Sequence, residues 1–535
     1  MIERDNSQAA TNLIAGTATK YLVLVVNIAV GALVMPFTVR HLGQTDYGLW
    51  MLVASMTAYF QLLDLGYGNG VVRHLIAADR RGDQQEVNRV ASTFVVVYAA
   101  IGAIACVGLG VMVGVVVPRF PHLSPSQVRI AQAIAAILGA RVAIGFPLTV
   151  FGAVTNARQA FVFNNLVALA TVLASAAATY VVLSSGGGLL MLVATTTAIN
   201  MAGYGGYAWT AYRVMPELRI RVSSFSPSHW RDVTSFSLYL FVINLAGQIS
   251  FNLDNVVIAA FMGPAAVAVY VVALRLAEYQ RRLCDQFSGM LFPVAMAFGS
   301  DGNRAALRRT LIDGNRIAMT LVGGASVCLI GFSGPLILHW MGPAFAGSVA
   351  PFNVLAIAGI IVVSQAASSN VLIALGRHRI VTTIWIVEAA ANLALSVVVV
   401  RRMGLVGVAA GTLVPLVFGH AVVMFAAACR AVGMSIGRCA YETMRPAVVA
   451  GSVAAVACIA LRSLVPPHST VAVVVEGTLV AATYLVSLMT IGFDPAIRRT
   501  YSSRLLGAGA AIASVLRGAR TDGRRHRAAA GSYTN

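Results

Sequence analysis

Residues 21–39, YLVLVVNIAVGALVMPFTV, decide the class of fold. The stretch contains no charged side chain and approaches the length of about twenty apolar residues that crosses a bilayer as a helix. Comparable runs recur along the chain, in which 58% of the 535 residues are hydrophobic and only 11% are charged. Since a soluble domain is typically about 25% charged, we predict an all-α polytopic membrane protein.

Fourteen candidate transmembrane spans can be placed on the chain by hydropathy. Most are close to the length that crosses about 30 Å of hydrocarbon. Their approximate bounds are 13–39, 48–70, 92–117, 130–154, 161–183, 188–212, 235–262, 266–298, 312–340, 350–375, 379–400, 405–429, 446–465 and 470–491. Because the connecting loops are short, any chemistry is expected to take place within the helices.

The chain is strongly basic, with a formal net charge of +19. When the N-terminus is placed inside, most arginines fall in the inside loops and few fall in the outside loops. This bias predicts that both termini lie in the cytoplasm, which fits an even number of spans. Topology therefore explains the excess charge, and no nucleic-acid-binding motif accompanies it.

The two ends of the chain and the cysteines allow three further predictions. The polar N-terminus lacks the short apolar stretch of a signal peptide, so the first span is expected to be retained. Residues 499–516 are predicted to lie on the inner leaflet as a surface helix, with a frayed tail as the alternative. The six cysteines form no CxxC pair and are expected to be core residues rather than metal ligands or disulfide partners.

A weak internal repeat relates two parts of the chain. HLGQTDYGLWMLVASMTAYF (41–60) aligns with FMGPAAVAVYVVALRLAEYQ (261–280), so that Gly43 matches Gly263 and Trp50 matches Tyr270. Such a repeat suggests two parallel lobes of six helices with a site between them. Chance similarity between apolar helices is the alternative explanation.

The eighth span carries an unusual density of charge in the stretch VVALRLAEYQRRLCDQF (271–287). Four charged residues share one helix face because they are three, four and three residues apart: Arg275, Glu278, Arg282 and Asp285. At about 1.5 Å per residue, Arg275 lies near the middle of the bilayer and Asp285 near its inner surface. This face is predicted to point into a protein interior or an aqueous cavity, since isolated charge is costly in a membrane. An ion-pair ladder that holds the helix in place is the alternative.

Other polar groups lie within the predicted spans. Arg141 lies near mid-depth in the fourth span, and Lys20 lies toward the inside of the first. Together with Arg275 they would form a basic site for an anionic headgroup such as a pyrophosphate, because a guanidinium fork pairs two oxygens at once. Asp64 ends the second span before the glycine-rich GYGNG (66–70), which is expected to unwind the helix end.

The seventh span carries a polar stripe. Its members are four, four and three residues apart: Asn244, Gln248, Asn252 and Asn255. Asp254 lies beside the stripe, and Glu388 lies in the eleventh span. Hydrogen bonding between helices is the alternative to a substrate-facing role for the stripe.

Motifs for catalysis and cofactor binding are not found in the sequence. There is no GxxxxGK[ST], HExxH or GxSxG motif and no metal-spaced cluster of Cys and His. We therefore predict no ATP-driven pump, no enzyme and no cofactor. His339 and His420 are expected to be ordinary packing residues.

Residues 12–90 and 235–300 resemble the Wzx-type polysaccharide flippases of the multidrug/oligosaccharidyl-lipid/polysaccharide (MOP) exporter superfamily. In that family the first span ends in a proline, followed by LG..YG.W and then by D-L-G-x-G and an arginine. The matching residues are Pro36, Leu42, Gly43, Tyr47, Gly48, Trp50, Asp64, Leu65, Gly66, Gly68 and Arg73, with Asp254, Gly263, Tyr270 and Arg275 in the second block.

The resemblance implies a transporter with two six-helix lobes around a central cavity, which works by alternating access. The lobes would be residues 1–234 and 235–442, followed by two extra spans in 443–491 and a basic cytoplasmic tail in 492–535. The implied substrate is an undecaprenyl-pyrophosphate-linked oligosaccharide, moved from the inner to the outer leaflet of the bacterial cytoplasmic membrane. The implied partners are this lipid-linked oligosaccharide, membrane lipids, a polymerase and a chain-length regulator, and no nucleic acid.

Residue roles follow within this hypothesis. The pyrophosphate would be held by Arg275, Arg141 and Lys20, and the polar stripe of the seventh span would face the sugar. Gating or ion coupling would fall to Asp64, Asp254, Glu278, Arg282 and Asp285.

Three alternatives remain. A lipid II flippase of cell-wall synthesis would share the basic cavity, and the two extra spans would then form a groove for the lipid tail or only pack outside. A drug/cation antiporter would favour an acidic cavity. A membrane scaffold without transport would have no need of deep charges.

Overall fold

The structure is a computed structural model that describes residues 2–64, 66–228, 230–231, 253–495 and 497–499. Within these residues the regular secondary structure is helical, without strands. The helices are α1 Ile2–Ala58, α2 Tyr67–Arg80, α3 Gln84–Val111, α4 Pro125–Ala157, α5 Phe161–Ser184, α6 Leu189–Val214, α7 Leu253–Met262, α8 Pro264–Ser300, α9 Arg304–Gly331, α10 Ser333–Met341, α11 Val349–Ser364, α12 Ala366–Ala374, α13 His378–Leu416, α14 Phe425–Ala431, α15 Ile436–Leu464 and α16 Thr470–Ser487.

Helices are present at each predicted span that the described residues cover. In this part of the chain, nine continuous helical stretches are long and apolar enough to cross a membrane. Two of them, Ala18–Asp64 and His378–Ala431, are interrupted at Gly43 and Gly404 and are long enough to cross twice. The prediction of an all-α polytopic membrane protein is therefore confirmed. Most of the predicted seventh span, and most of the predicted surface helix at 499–516, lie outside the described residues.

Two glycines precede the helical stretches that meet at the centre of the molecule: Gly43 interrupts α1, and Gly263 precedes α8. Gly43 has φ 79° and ψ 166°, and Gly263 has φ 83° and ψ 174°. Residues with a Cβ avoid this region of backbone space, so both turns depend on glycine. The two glycines are matched in the predicted repeat, and their shared geometry supports a repeated helix start in the two halves.

The helices pack in two groups that meet along α1 and α8. In the first group α3 lies against α4, α4 against α6, and α1 against α5. In the second group α8 contacts α9, α11 and α12, and α11 contacts α13. A large apolar cluster surrounds the contact between α1 and α8 and buries Leu52 and Tyr270. The predicted lobe boundaries, 1–234 and 235–442, are compatible with this packing and stay a prediction.

The two extra C-terminal helices pack mainly against α9 of the second group. α15 lies along α9 and contacts α16, and α16 also reaches α9 and α10. Phe332, Ala454 and Tyr484 are buried in the apolar cluster that joins them. The extra helices are therefore attached to the outside of the second group by apolar packing.

One helix departs from the prediction. The second span was predicted to extend to residue 70, but Tyr59–Asp64 forms a 3₁₀ helix and Gly66, with φ 75°, separates it from α2. The expected unwinding beside Asp64 is therefore present. α2 buries residues four, four and three positions apart on one face: Tyr67, Val71, Leu75 and Ala78. This amphipathic spacing is readable in the sequence and marks a helix that packs sideways on α3 and α4.

Candidate functional site

A cavity of about 470 Å³ lies where α1, α4, α5, α6 and α8 come together. Two arginines from different helices line it, Arg141 of α4 and Arg275 of α8. The residues meet because α1 packs against both α4 and α8. The structure thus brings two of the three predicted basic residues into one cavity.

The rest of the cavity lining is uncharged and includes many hydrogen-bonding side chains. These are Asn27, Thr57, Gln61, Thr171, Ser175, Thr179, Thr196, Thr197 and Asn200. No carboxylate is found among the described residues that line this cavity. Two guanidinium groups surrounded by hydroxyl and amide groups form a site suited to an anion that carries many polar groups.

The polar face of α5 was not predicted from the sequence. Thr171, Ser175 and Thr179 are each four residues apart, which places them on one side of the helix. The Ser175 hydroxyl is buried and has no hydrogen-bond partner among the described residues. A search for hydroxyl residues at helical spacing would have found this face beside the amide stripe of the seventh span.

Arg275 is held in place by the acid one turn further along α8. Its Nη1 donates to Glu278 Oε2 at 2.8 Å, and Arg282 Nη2 lies 3.6 Å from the same oxygen. The Arg275 side chain remains 41% exposed, so guanidinium N–H groups remain for a ligand. Among the described side chains of this face, one carboxylate pairs with two arginines, so this part of the face carries a net positive charge. The side chain of Asp285, the fourth predicted member, lies outside what the structure describes.

Lys20 and Asp64 lie apart from the cavity. Lys20 is exposed on α1 and is not among the residues that line the cavity. Asp64 accepts a hydrogen bond from the Tyr98 hydroxyl of α3, and this pair lies within the first group of helices. The structure thus separates both residues from Arg141 and Arg275.

Asp254 is buried where α7, α8 and α13 meet. Its Oδ2 accepts hydrogen bonds from the Tyr270 hydroxyl at 2.6 Å and from Thr412 Oγ1 at 3.1 Å. Its Oδ1 has no partner among the residues described. A buried carboxylate with one oxygen available can take up a proton or a cation.

The structure describes one of the four residues of the predicted polar stripe. Asn255 is buried, and its Nδ2 donates to Ser55 Oγ of α1 at 2.8 Å. This contact joins the two groups of helices, as the hydrogen-bonding alternative for the stripe expected. Asn244, Gln248 and Asn252 lie outside the described residues.

Further hydrogen bonds join the two groups of helices. Trp340 Nε1 donates to the backbone oxygen of Ala32 at 2.6 Å, and Gln44 Nε2 donates to that of Ala344 at 3.2 Å. The arginine bias of the loops predicts that the contact between Gln44 and Ala344 lies at the outer end. The two groups are therefore held together at the predicted outer end.

Taken together, the fold and the cavity define a multi-pass membrane protein with a basic, polar cavity between two groups of helices. The family model described as "Polysaccharide biosynthesis protein" matches residues 13–296, which is more than half of the chain. The chain belongs to this family. The family predicted from the motifs is thereby confirmed.

One curated relative and two solved structures are similar to the chain. EpsK of Bacillus subtilis (strain 168), an uncharacterized membrane protein, is 21% identical over 404 residues, which cover 72% of this chain and 77% of EpsK. The lipid II flippase MurJ, in an inward closed conformation, has a TM-score of 0.69 at 12% identity, covering 88% of this chain and 97% of MurJ. An inward-facing MATE family multidrug resistance transporter of the MOP superfamily has a TM-score of 0.63 at 16% identity, covering 81% and 98%. The fold is therefore that of the MOP superfamily.

Proposed function

We propose that this protein flips undecaprenyl-pyrophosphate-linked oligosaccharide repeat units from the inner to the outer leaflet of a bacterial cytoplasmic membrane. The observation that carries the proposal is the cavity shared by Arg141 and Arg275. A pyrophosphate offers oxygens that a guanidinium fork can pair two at a time. Membership of the polysaccharide biosynthesis family supports an oligosaccharide as the rest of the cargo.

Arg275 has a second role in this mechanism, through its pairing with Glu278. A pyrophosphate that enters the cavity competes with the Glu278 carboxylate for the same guanidinium. Glu278 can therefore recapture Arg275 when the cargo leaves, which would reset the site for another cycle.

The remaining predicted roles complete an alternating-access cycle with both termini in the cytoplasm. Asp64 and Asp254 would gate the cavity or carry coupling ions, together with Arg282 and Asp285. Lys20 would meet the pyrophosphate near the inner surface, before it reaches the cavity. The exported repeat unit would pass to a polymerase and a chain-length regulator.

A lipid II-type wall flippase is the second candidate. The basic cavity favours it as well, because a polyprenyl pyrophosphate is the anionic part of either cargo. The same lining disfavours a drug/cation antiporter, since two arginines without a lining carboxylate repel a cationic substrate.

The lipids of a deletion strain test the proposal. We expect undecaprenyl-pyrophosphate oligosaccharide to accumulate in the inner leaflet, surface polysaccharide to disappear and growth to continue. A plasmid copy of the wild-type gene should reverse both changes. Normal surface polysaccharide with altered drug sensitivity would contradict the proposal, and a lethal arrest of wall synthesis would favour the second candidate.

A further inference from the structure

A buried acid–base pair lies in the second group of helices, away from the substrate cavity. His420 Nδ1 and Glu388 Oε1 are 2.7 Å apart, and the two side chains are only 3% and 4% exposed. The Trp385 ring packs edge-on against the imidazole, with ring centroids 4.8 Å apart. Two titratable groups are thus in direct contact within the membrane-spanning part of the protein.

The second carboxyl oxygen of Glu388 is available to bind a proton. Glu388 Oε2 is buried and has no hydrogen-bond partner among the described residues. Folded proteins rarely leave buried polar atoms unpaired, and each exception calls for a physical explanation. A proton that binds at Oε2 in one state of the transport cycle supplies such an explanation.

The surroundings of the pair hold few other charges. The sequences of α11 and α12, which pack on α13, contain no titratable residue. α14 contributes Cys429 and Arg430, and α13 itself carries charges only two or more turns away from Glu388. On α8, Glu278 and Arg281 line a small cavity with Thr412 and Leu416. Among the described residues, each group of the pair therefore has the other as its nearest ionisable partner.

A row of buried polar groups extends from the pair toward Asp254. Glu388 and Asn392 are four residues apart on one face of α13, and both are buried. Asn392 Nδ2 donates to Thr412 Oγ1 at 2.8 Å, and Thr412 donates to Asp254 Oδ2 at 3.1 Å. A polar face thus runs through an otherwise apolar bundle. Ionisable residues at such positions in membrane proteins are usually functional.

The local backbone is shaped around the pair. His420 lies in the π-helical segment Val417–Met424, which is an uncommon conformation that often marks functional sites. Beside it, a Cβ on Gly419 would overlap the Glu388 carboxylate. A glycine is therefore required at this position for the acid to reach the imidazole.

We propose that Glu388 and His420 form a proton-binding site that couples transport to a proton gradient. In the resting pair, one proton lies between Oε1 and Nδ1 and another stays on Nε2, so the pair is neutral. When the pair is open to the outside, a proton binds at Oε2 and the pair carries a single positive charge. When it is open to the inside, the same proton leaves and the pair is neutral again. One proton thus enters the cell in each cycle, and no electron is transferred.

The coupling to exported cargo rests on the proposed function, whereas proton binding at the pair does not. A test that uses protons alone keeps the two apart. The full-length protein is reconstituted in phosphatidylethanolamine–phosphatidylglycerol liposomes on a solid-supported membrane, and the capacitive current after a pH jump is recorded. The wild-type protein is expected to give a transient charge displacement without any lipid-linked oligosaccharide.

The variants Glu388→Gln and His420→Gln are expected to lose most of this current. Glu476→Gln is the matched control, because Glu476 of α16 is also buried with an Oε2 that lacks a partner among the residues described. It is expected to keep the wild-type current. Each variant is first checked by its size-exclusion profile and Tm, and His420→Gln tests the pair if Glu388→Gln does not fold.

A purely structural pair gives a different result. If Glu388→Gln and His420→Gln lower the Tm but keep the proton current, the proposal is overturned. If the current is lost in these variants while the deletion strain shows normal surface polysaccharide, the proton site stands and the proposed cargo is wrong. The experiments therefore distinguish a failure of the proposed proton site from a failure of the proposed cargo.

Discussion

Gly48 of α1 packs against the backbone of Pro264, at the start of α8, with no room for a side chain. A Cβ on Gly48 would overlap the Pro264 carbonyl oxygen and would lie 3.2 Å from the backbone nitrogen of Ala268. Gly43, which interrupts α1, and Gly263, which precedes α8, have matching backbone geometry. The two halves of the molecule therefore meet backbone to backbone at equivalent places in the repeat.

Substitution of Gly48 is expected to weaken this contact. Gly48→Ala overpacks a backbone contact and should cost about 1–3 kcal/mol in the free energy of unfolding. We expect a lower Tm in detergent and less surface polysaccharide in complemented cells. Gly110→Ala is the control, since a Cβ on this exposed glycine of α3 meets no atom within 4 Å. If both variants have the same Tm as the wild-type protein, the contact between α1 and α8 is not tightly packed.

The two cavity arginines are expected to act on the same ligand. Removal of Arg141 or Arg275 deletes a charge-assisted contact of about 1.5–3 kcal/mol, equivalent to a roughly ten- to hundredfold loss of affinity. Each Arg→Ala variant should therefore accumulate lipid-linked oligosaccharide and export less polysaccharide, with little change in Tm. Arg→Lys variants should recover part of the export, because lysine keeps the charge but not the planar fork.

Arg141 distinguishes the hypothesis that the two arginines bind the ligand from the alternative that the charges on α8 form a structural ion-pair ladder. The ladder on α8 consists of Arg275, Glu278 and Arg282 and does not include Arg141. If the ladder alone matters, Arg141→Ala should export normally, while Arg275→Ala and Glu278→Gln should melt at lower temperature. Arg438→Ala is a control for loss of an arginine, because Arg438 is exposed on α15 outside the cavity.

Hydropathy alone was sufficient to predict the helices, because it depends on local sequence. The position of Arg141 and Arg275 near mid-depth stays a prediction. The depth of a residue in the bilayer does not show in which direction its side chain points around the helix axis. Lys20 also lies within a predicted span, yet the structure places it on an exposed surface of α1. That the two arginines share a cavity depends on how α1 packs against α4 and α8, which a single sequence does not show.

The pair of Glu388 and His420 shows a second limit of the sequence. A lone histidine in an apolar run has no pattern that separates a packing residue from a titratable site. Its partner is 32 residues away, and the two meet because the backbone turns at Gly404, with φ 56°. The glycine could be seen in the sequence, but the register between the two halves of α13 depends on tertiary packing.

The charge of Asp254 is expected to be required for transport and not for folding. In Asp254→Asn an amide oxygen can still accept the hydrogen bonds of Tyr270 and Thr412, but the site can no longer take up a proton or a cation. We expect export to be lost with an unchanged size-exclusion profile. Tyr270→Phe removes one hydrogen bond and keeps the carboxyl group, so it should lower stability by about 0.5–1.5 kcal/mol and retain export. Normal export by Asp254→Asn would exclude a coupling role for this residue.

The contact between Ser55 and Asn255 provides a test of alternating access. It joins α1 to α7 across the two groups of helices, with Ser55 Oγ and Asn255 Nδ2 2.8 Å apart. If the two halves must separate there to release cargo, a covalent link should arrest the cycle. In a variant without the six native cysteines, Ser55→Cys with Asn255→Cys is expected to lose export under oxidising conditions and to regain it after reduction.

A second cysteine pair controls for the chemistry of cross-linking. Thr155 Oγ1 and Asn164 Oδ1 are also 2.8 Å apart, but both residues belong to the first group of helices. Thr155→Cys with Asn164→Cys should therefore form a link that leaves export unchanged, because it joins elements expected to move together. The extent of each link is read from the gel mobility of the protein after cleavage between the two cysteines. Undiminished export by the fully linked Ser55–Asn255 variant would show that the two halves do not separate at this contact.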